Sequence, residues 1–239
     1  FKTIKNSKSL GCLLTSRMAS LIILPGTSEN TIQIYNTIND ELLEYDVGDK
    51  PTAIGGNIYA GIFAWTNEDG TQIWLHKVDD GSLYKILNRG KSYAEITSIV
   101  FDKYCFRMAV SSTKETVHIF ALPKELALNG KTEEELTESL KLEESLDSTR
   151  KSLPFSLLES RHNITRNVIS RFMFGSGGEW SYCKIYVYHL NKTCAIIGDS
   201  LVILRSDGVI HTINIQCEGS YYSNDKEVIT ENLFKKESN

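Results

Sequence analysis

The sequence has few prolines, 4 in 239 residues, and no surplus of positive charge. It also has no apolar run near the roughly 18 residues a membrane-spanning helix needs, since a stretch such as Ser20 to Pro25 is only strand-length. With 41% hydrophobic and 23% charged residues, disorder, collagen and low-complexity fibre are excluded. The 26 basic residues against 30 acidic ones give a formal charge of −4, so no global basic field is available to hold nucleic acid. An anionic partner would have to be met locally, by a soluble or peripheral protein. The 5 cysteines are odd in number, scattered and never arranged as C-x-x-C, which reads as reduced thiols in a cytosolic chain. Enzyme signatures are missing as well. There is no G-x-x-x-x-G-K-S/T, H-E-x-x-H or G-x-S-x-G, and the 5 histidines have no metal-ligand spacing. The expectation is a protein without enzymatic activity, cofactor or metal. The two N-x-T sequons, at Asn163 and Asn191, read as chance polar residues.

What is present is a repeat. Asn30-Thr31-Ile32-Gln33-Ile34-Tyr35 resembles Gly70-Thr71-Gln72-Ile73-Trp74, then Glu115-Thr116-Val117-His118-Ile119, then Gly208-Val209-Ile210-His211-Thr212. Taking Thr31, Thr71, Thr116 and Val209 as equivalent, the spacings are 40, 45 and 93 residues. Each unit has a small-polar turn followed by an alternating β-branched and aromatic run. Another short apolar strand precedes it: Leu21 to Leu24, Tyr59 to Ala64, Met108 to Ser111, Leu201 to Leu204. Period-2 alternation at a repeat of about 40 to 45 residues predicts four-stranded propeller blades. The approximate blades are 1–45, 46–92, 93–190 and 191–239, making an all-β, WD-type β-propeller.

The long third spacing is read as an insertion within the third blade, residues 123–178, and not as a lost blade. Thr132-Glu133-Glu134-Glu135 is a capping-box start, and leucines at 136, 140, 142 and 146 predict an amphipathic helix. Charge in the insert is segregated. Lys124 to Arg150 contains eight acids and four bases, while Ser160 to Phe174 contains Arg161, Arg166 and Arg171, no acids, and interleaved apolar residues. The second half suits a bilayer interface, with arginines at anionic headgroups. Packing on the protein's own surface, or docking to a partner, is the competing reading. Ser139, Ser145, Ser148 and Thr149 in the acidic half are candidate phosphorylation sites that would oppose membrane contact.

Leu87-Asn88-Arg89-Gly90, then Ala94-Glu95-Ile96-Thr97-Ser98-Ile99-Val100-Phe101, then Ala109-Val110-Ser111-Ser112-Thr113-Lys114-Glu115-Thr116-Val117-His118-Ile119-Phe120 resemble the PROPPIN family. Those are seven-bladed, phosphoinositide-binding propellers of autophagy that include the WIPI proteins, with an F/L-R-R-G hallmark. Glu179-Trp180-Ser181 looks like the element that follows the family's long loop. The resemblance implies a peripheral effector that binds phosphatidylinositol 3-phosphate or 3,5-bisphosphate and recruits autophagy factors, on phagophore assembly site, endosomal or vacuolar membranes. It also implies that about three blades precede Phe1, so that the sequence is expected to be a piece of a longer chain. A protein-only WD-repeat scaffold with decayed lipid sites is the alternative.

By resemblance the second of the family's two headgroup pockets is intact, formed by Arg89, Ser112, Lys114, Thr116 and His118. His118, with an ordinary pKa near neutrality, should then strengthen binding on mild acidification. On the residues alone, Arg89 could equally pair with Glu95 or Glu115, and the hydroxyls and His118 could belong to the turn network of a WD-type blade. The first pocket, around Asn67, Thr71 and Asn88, departs from the pattern: Asn88 stands where the family has its first arginine, Trp74 where another is usual, and Asp69 replaces a lysine. One working pocket is therefore expected, helped by a membrane-inserting loop whose matching residues are Phe155, Leu158, Arg166, Ile169, Arg171, Phe172 and Phe174.

Overall fold

The structure, a computed structural model, describes residues 4, 6, 10–16, 20–123, 125–126, 180–198, 200–215 and 219–222. The helix expected over Glu133 to Leu146, the residues singled out from Phe155 to Phe174, and Gly175 to Glu179 lie outside the described residues.

Three antiparallel sheets of consecutive strands and one that is extended make up the fold. The first contains β1 (Cys12–Thr15), β2 (Ser20–Pro25), β3 (Thr31–Asn36) and β4 (Glu41–Asp46). The second contains β5 (Ala53–Asn57), β6 (Ile62–Thr66), β7 (Gln72–Lys77) and β8 (Leu83–Asn88). In the third, β9 (Ile96–Phe101), β10 (Arg107–Ser112), β11 (Thr116–Ala121) and β12 (Cys183–Tyr186) follow the same order. The fourth has β13 (Lys192–Ile197), β14 (Ser200–Arg205) and β15 (Ile210–Asn214). The repeated motif marks the third strand of every sheet: β3, β7, β11 and β15. Strands β11 and β12, far apart in sequence, pair directly, Thr116 opposite Tyr186 and Ile119 opposite Cys183.

Two details differ from the sequence reading. Tyr59, Ala60 and Gly61 form a turn, with Gly61 N–H donating to the Ile58 carbonyl at 3.4 Å, so the apolar strand begins at Ile62. Residues Gly219–Tyr222 (β16), expected in the fourth blade, pair in parallel with β12 of the third sheet.

Strand alternation places one apolar core at each blade junction. Ile23, Ile32 and Ile34 meet Phe63 and Trp65 between blades one and two. Leu75 and Leu87 meet Met108, Val110 and Phe120 between two and three. Val117, Ile119 and Ile185 meet Leu201 and Ile203 between three and four. Closeness at the second junction demands glycine twice. A Cβ on Gly55 would come 2.3 Å from the Ile99 carbonyl oxygen, and one on Gly70, where φ is +60°, would come 2.0 Å from that of Ala94.

Polar ties cross the same junctions. Tyr45 donates its hydroxyl to the Val78 carbonyl at 2.8 Å, and Asn57 Nδ2 donates to the Asp102 carbonyl at 2.8 Å. Arg107 donates Nη2 to the Gly198 carbonyl at 2.8 Å and Nε to Asp102 Oδ2 at 3.3 Å. Asp102 Oδ1 also accepts the N–H groups of Phe106 at 2.8 Å and Arg107 at 3.2 Å. Both members of this ion pair are buried.

Candidate functional site

Alternate strands send their ends to one rim. The turn between the second and third strands of a blade and the link to the next blade share it, so the 67–72 turn, the 89–94 link, the 112–116 turn and the 187–192 link are neighbours. Backbone bonds fasten them together: Ala94 N–H to the Asp69 carbonyl at 3.1 Å, Thr113 N–H to Glu95 at 2.8 Å, and Val187 N–H to Glu115 at 2.8 Å.

Arg89 lies at the end of β8, only 4% exposed. Its guanidinium donates from Nε to the Gly70 carbonyl and from Nη2 to the Ser92 carbonyl, each at 2.5 Å. The fork is thereby held in one orientation, and burial lowers its pKa. His118 projects from β11 toward the same junction. One ring nitrogen sits 3.0 Å from Ser181 Oγ and the other 3.3 Å from Thr116 Oγ1. Burial, then the charges of Arg89 and Lys184, hold its pKa down to about 3. These influences place Arg89, His118 and Lys184 in one electrostatic neighbourhood. Lys184 is exposed and stands directly opposite His118 in the β11–β12 register.

The structure thus gathers Arg89, Thr116 and His118, and adds Ser181 and Lys184, which the sequence reading did not single out. Ser112 is fully buried, its Oγ accepting the Lys114 N–H at 3.3 Å across the turn. Lys114 lines a rim cavity of about 330 Å3 with Tyr93, Thr113, Glu115 and Leu190. A further missed residue, Lys192, is buried beneath that turn. Its ammonium donates to the carbonyls of Ser112 at 2.9 Å, Lys114 at 2.5 Å and His189 at 2.7 Å. It is a positioning residue for the 112–116 turn.

One expectation needs correction. His118 does not titrate near neutrality, because burial and two neighbouring cations oppose its protonation. Mild acidification therefore adds no charge here. A base whose folded pKa is depressed binds fewer protons folded than unfolded. Its contribution to stability is full above about 6.5 and is lost as pH falls from there toward 3. Thermal melts should show a midpoint falling through that window, and His118→Gln, which keeps hydrogen-bonding capacity without titrating, should flatten the fall.

Around the first pocket the side chains are engaged with one another. Asn67 donates Nδ2 to Asp49 at 3.0 Å while its Oδ1 is buried without a partner, and Asn88 Oδ1 accepts from Gln72 Nε2 at 3.2 Å. The Thr71 carbonyl accepts the N–H groups of Arg89 at 2.8 Å and Gly90 at 3.3 Å. Trp74 stacks on Trp65 with ring centroids 4.6 Å apart.

No family model matches the chain. It is 31% identical over 134 residues to the human WD repeat domain phosphoinositide-interacting protein 1, a match covering 56% of this chain and 29% of that relative. In sequence and in fold the chain is PROPPIN-like. Kluyveromyces lactis Hsv2 with a complete loop 6CD aligns with a TM-score of 0.55 at 18% identity, over 91% of this chain and 58% of that one. KlAtg21, solved in complex with the coiled coil of AgAtg16, aligns with a TM-score of 0.58 at 14% identity, over 89% and 54%. The PROPPIN-like chain spans just over half the length of these solved structures and less than a third of the curated relative. Among its described residues no helix is long and apolar enough to cross a membrane.

Proposed function

We propose that this chain is a phosphoinositide-binding surface of a peripheral membrane scaffold that recruits autophagy factors and does no catalysis. The observation carrying the reading is the convergence of a buried, oriented guanidinium (Arg89) and an exposed ammonium (Lys184) on the hydroxyls of Thr116 and Ser181 around a neutral imidazole. A phosphomonoester on an inositol ring needs this combination of planar fork, point charge and hydroxyl donors. The curated relative's name gives phosphoinositide interaction, and the KlAtg21 complex gives a coiled-coil autophagy partner, in support of the same class. By this reading the protein works from the cytoplasm on phagophore assembly site, endosomal or vacuolar membranes, through one pocket. Asn67 and Asn88 hold Asp49 and Gln72, and neither can neutralise a phosphate. The loop residues Phe155, Leu158, Arg166, Ile169, Arg171, Phe172 and Phe174 would add apolar and cationic membrane contact.

One observation favours a protein-only scaffold instead: two of the Arg89 donor nitrogens hold carbonyls of its own chain. Flotation with vesicles containing phosphatidylinositol 3-phosphate separates the two readings. The full chain is expected to float with the lipid, and Lys184→Glu, a surface change that preserves the fold, to lose at least tenfold in affinity. Equal flotation of parent and variant would leave the scaffold reading standing.

A further inference from the structure

Just before the outer strand of the third blade, β12, stands a large ring that neither the core nor the anion cluster uses. Trp180 is 52% exposed. It forms an isolated parallel bridge with Asn88, adjacent to Arg89, and the next residue, Ser181, holds the His118 ring. The Trp180 backbone therefore lies beside the Arg89–His118–Lys184 cluster. A half-exposed indole is well suited to a membrane interface, where its ring lies among headgroups and upper acyl carbons and its N–H keeps a polar partner.

We infer that Trp180 inserts into the bilayer interface when the adjacent cluster holds a phosphoinositide headgroup, giving the propeller edge its own membrane anchor independent of the long insert. This rests on the phosphoinositide reading above. The geometry sets the order of contact. The cations of the cluster find the phosphate, and the same approach presses the neighbouring ring into the lipid, so headgroup and interface are engaged together at one blade edge.

Tryptophan fluorescence reads this directly. The chain has 3 tryptophans. Trp65 is 1% exposed, and Trp74 is half-buried and stacked on it at 4.6 Å, so a change of environment on binding reports Trp180. The full chain is titrated with phosphatidylcholine vesicles containing phosphatidylinositol 3-phosphate, and separately with soluble inositol 1,3-bisphosphate. The vesicles should shift emission to the blue and protect it from aqueous quencher; the soluble headgroup should do neither. Trp180→Ala should keep soluble-headgroup affinity and lose roughly tenfold in vesicle affinity, the effect of returning about 55 Å2 of apolar surface to water at ~25 cal/mol per Å2. Trp180→Phe should fall between the two. Vesicle binding without a blue shift, or Trp180→Ala within twofold of the parent, overturns the insertion. Loss of soluble-headgroup binding in both variants also overturns it, because the ring would then serve the pocket wall. A parent chain that binds neither probe overturns the phosphoinositide reading, and the insertion falls with it.

Discussion

Arg107→Met is expected to destabilise the fold by about 3–5 kcal/mol, the usual consequence of removing one member of a buried ion pair. For a domain of this size that is a fall in melting temperature on the order of 10 °C. Two losses combine. The guanidinium is the donor joining the third blade to the Gly198 carbonyl of the fourth, and it is the counter-ion of Asp102, whose pKa is raised by burial against the opposing pull of Arg107 and of the backbone donors. With the cation gone, the carboxyl keeps its proton to higher pH in the folded state than in the unfolded one. Stability of the variant should therefore be greatest in acid and decline as pH rises through the folded pKa of Asp102. Adding Asp102→Asn removes the stranded charge while keeping an acceptor for the two backbone N–H groups, of Phe106 and of the residue after it, that the carboxylate holds in the parent. The double variant should be more stable at neutral pH than Arg107→Met alone. Denaturant melts of the three proteins check this, and a double variant that is less stable would contradict the account of the pair.

Lys192→Met should follow, at about 3 kcal/mol. It leaves the carbonyls of Ser112, Lys114 and His189 without the ammonium they share, and hydrogen bonds to a charged group are worth roughly 1.5–3 kcal/mol each before relaxation. Burial lowers the Lys192 pKa to about 8, partly countered by Cys194 and Glu115. Between about 8 and 10.5 the unfolded chain then holds more protons on this group than the folded one, so the parent gains stability from it as pH rises through that window. The variant should lack that gain. Because Lys192 anchors the 112–116 turn, it should also bind vesicles more weakly at temperatures well below its melting point. Unchanged melting and unchanged binding would reduce Lys192 to a bystander.

The propeller was legible in the sequence because the third strand of each blade repeats a small-polar turn followed by alternating β-branched and aromatic residues. Strands β3, β7, β11 and β15 all begin within one residue of the positions that motif picks out. Arg89, Thr116 and His118 could be singled out as candidates for a related reason, since they belong to the two blocks in which the resemblance is densest. Lys184 and Ser181 were not. They reach His118 through strand pairing across an intervening stretch of more than sixty residues, and no local spacing encodes that register. Lys192 looks like any strand-edge lysine until three carbonyls are seen to converge on it. The protonation of His118 was misjudged because residue type sets only the starting pKa. Its burial and the cations beside it come from parts of the chain far apart in sequence. Trp180 could be read as part of a familiar element, but its exposure beside the cluster appears only once Asn88 and Trp180 are side by side.

The proposed function requires the junction of the second and third blades to bind a phosphorylated inositol headgroup. Calorimetric titration of the full chain with inositol 1,3-bisphosphate, beside Lys184→Glu and Thr116→Val, tests it most directly. A single saturable site is expected in the parent, weakened at least tenfold by Lys184→Glu and several-fold by Thr116→Val, with melting temperatures close to the parent's in both. Headgroup binding that survives both substitutions undiminished, or a well-folded parent that gives no heat of binding, would contradict it.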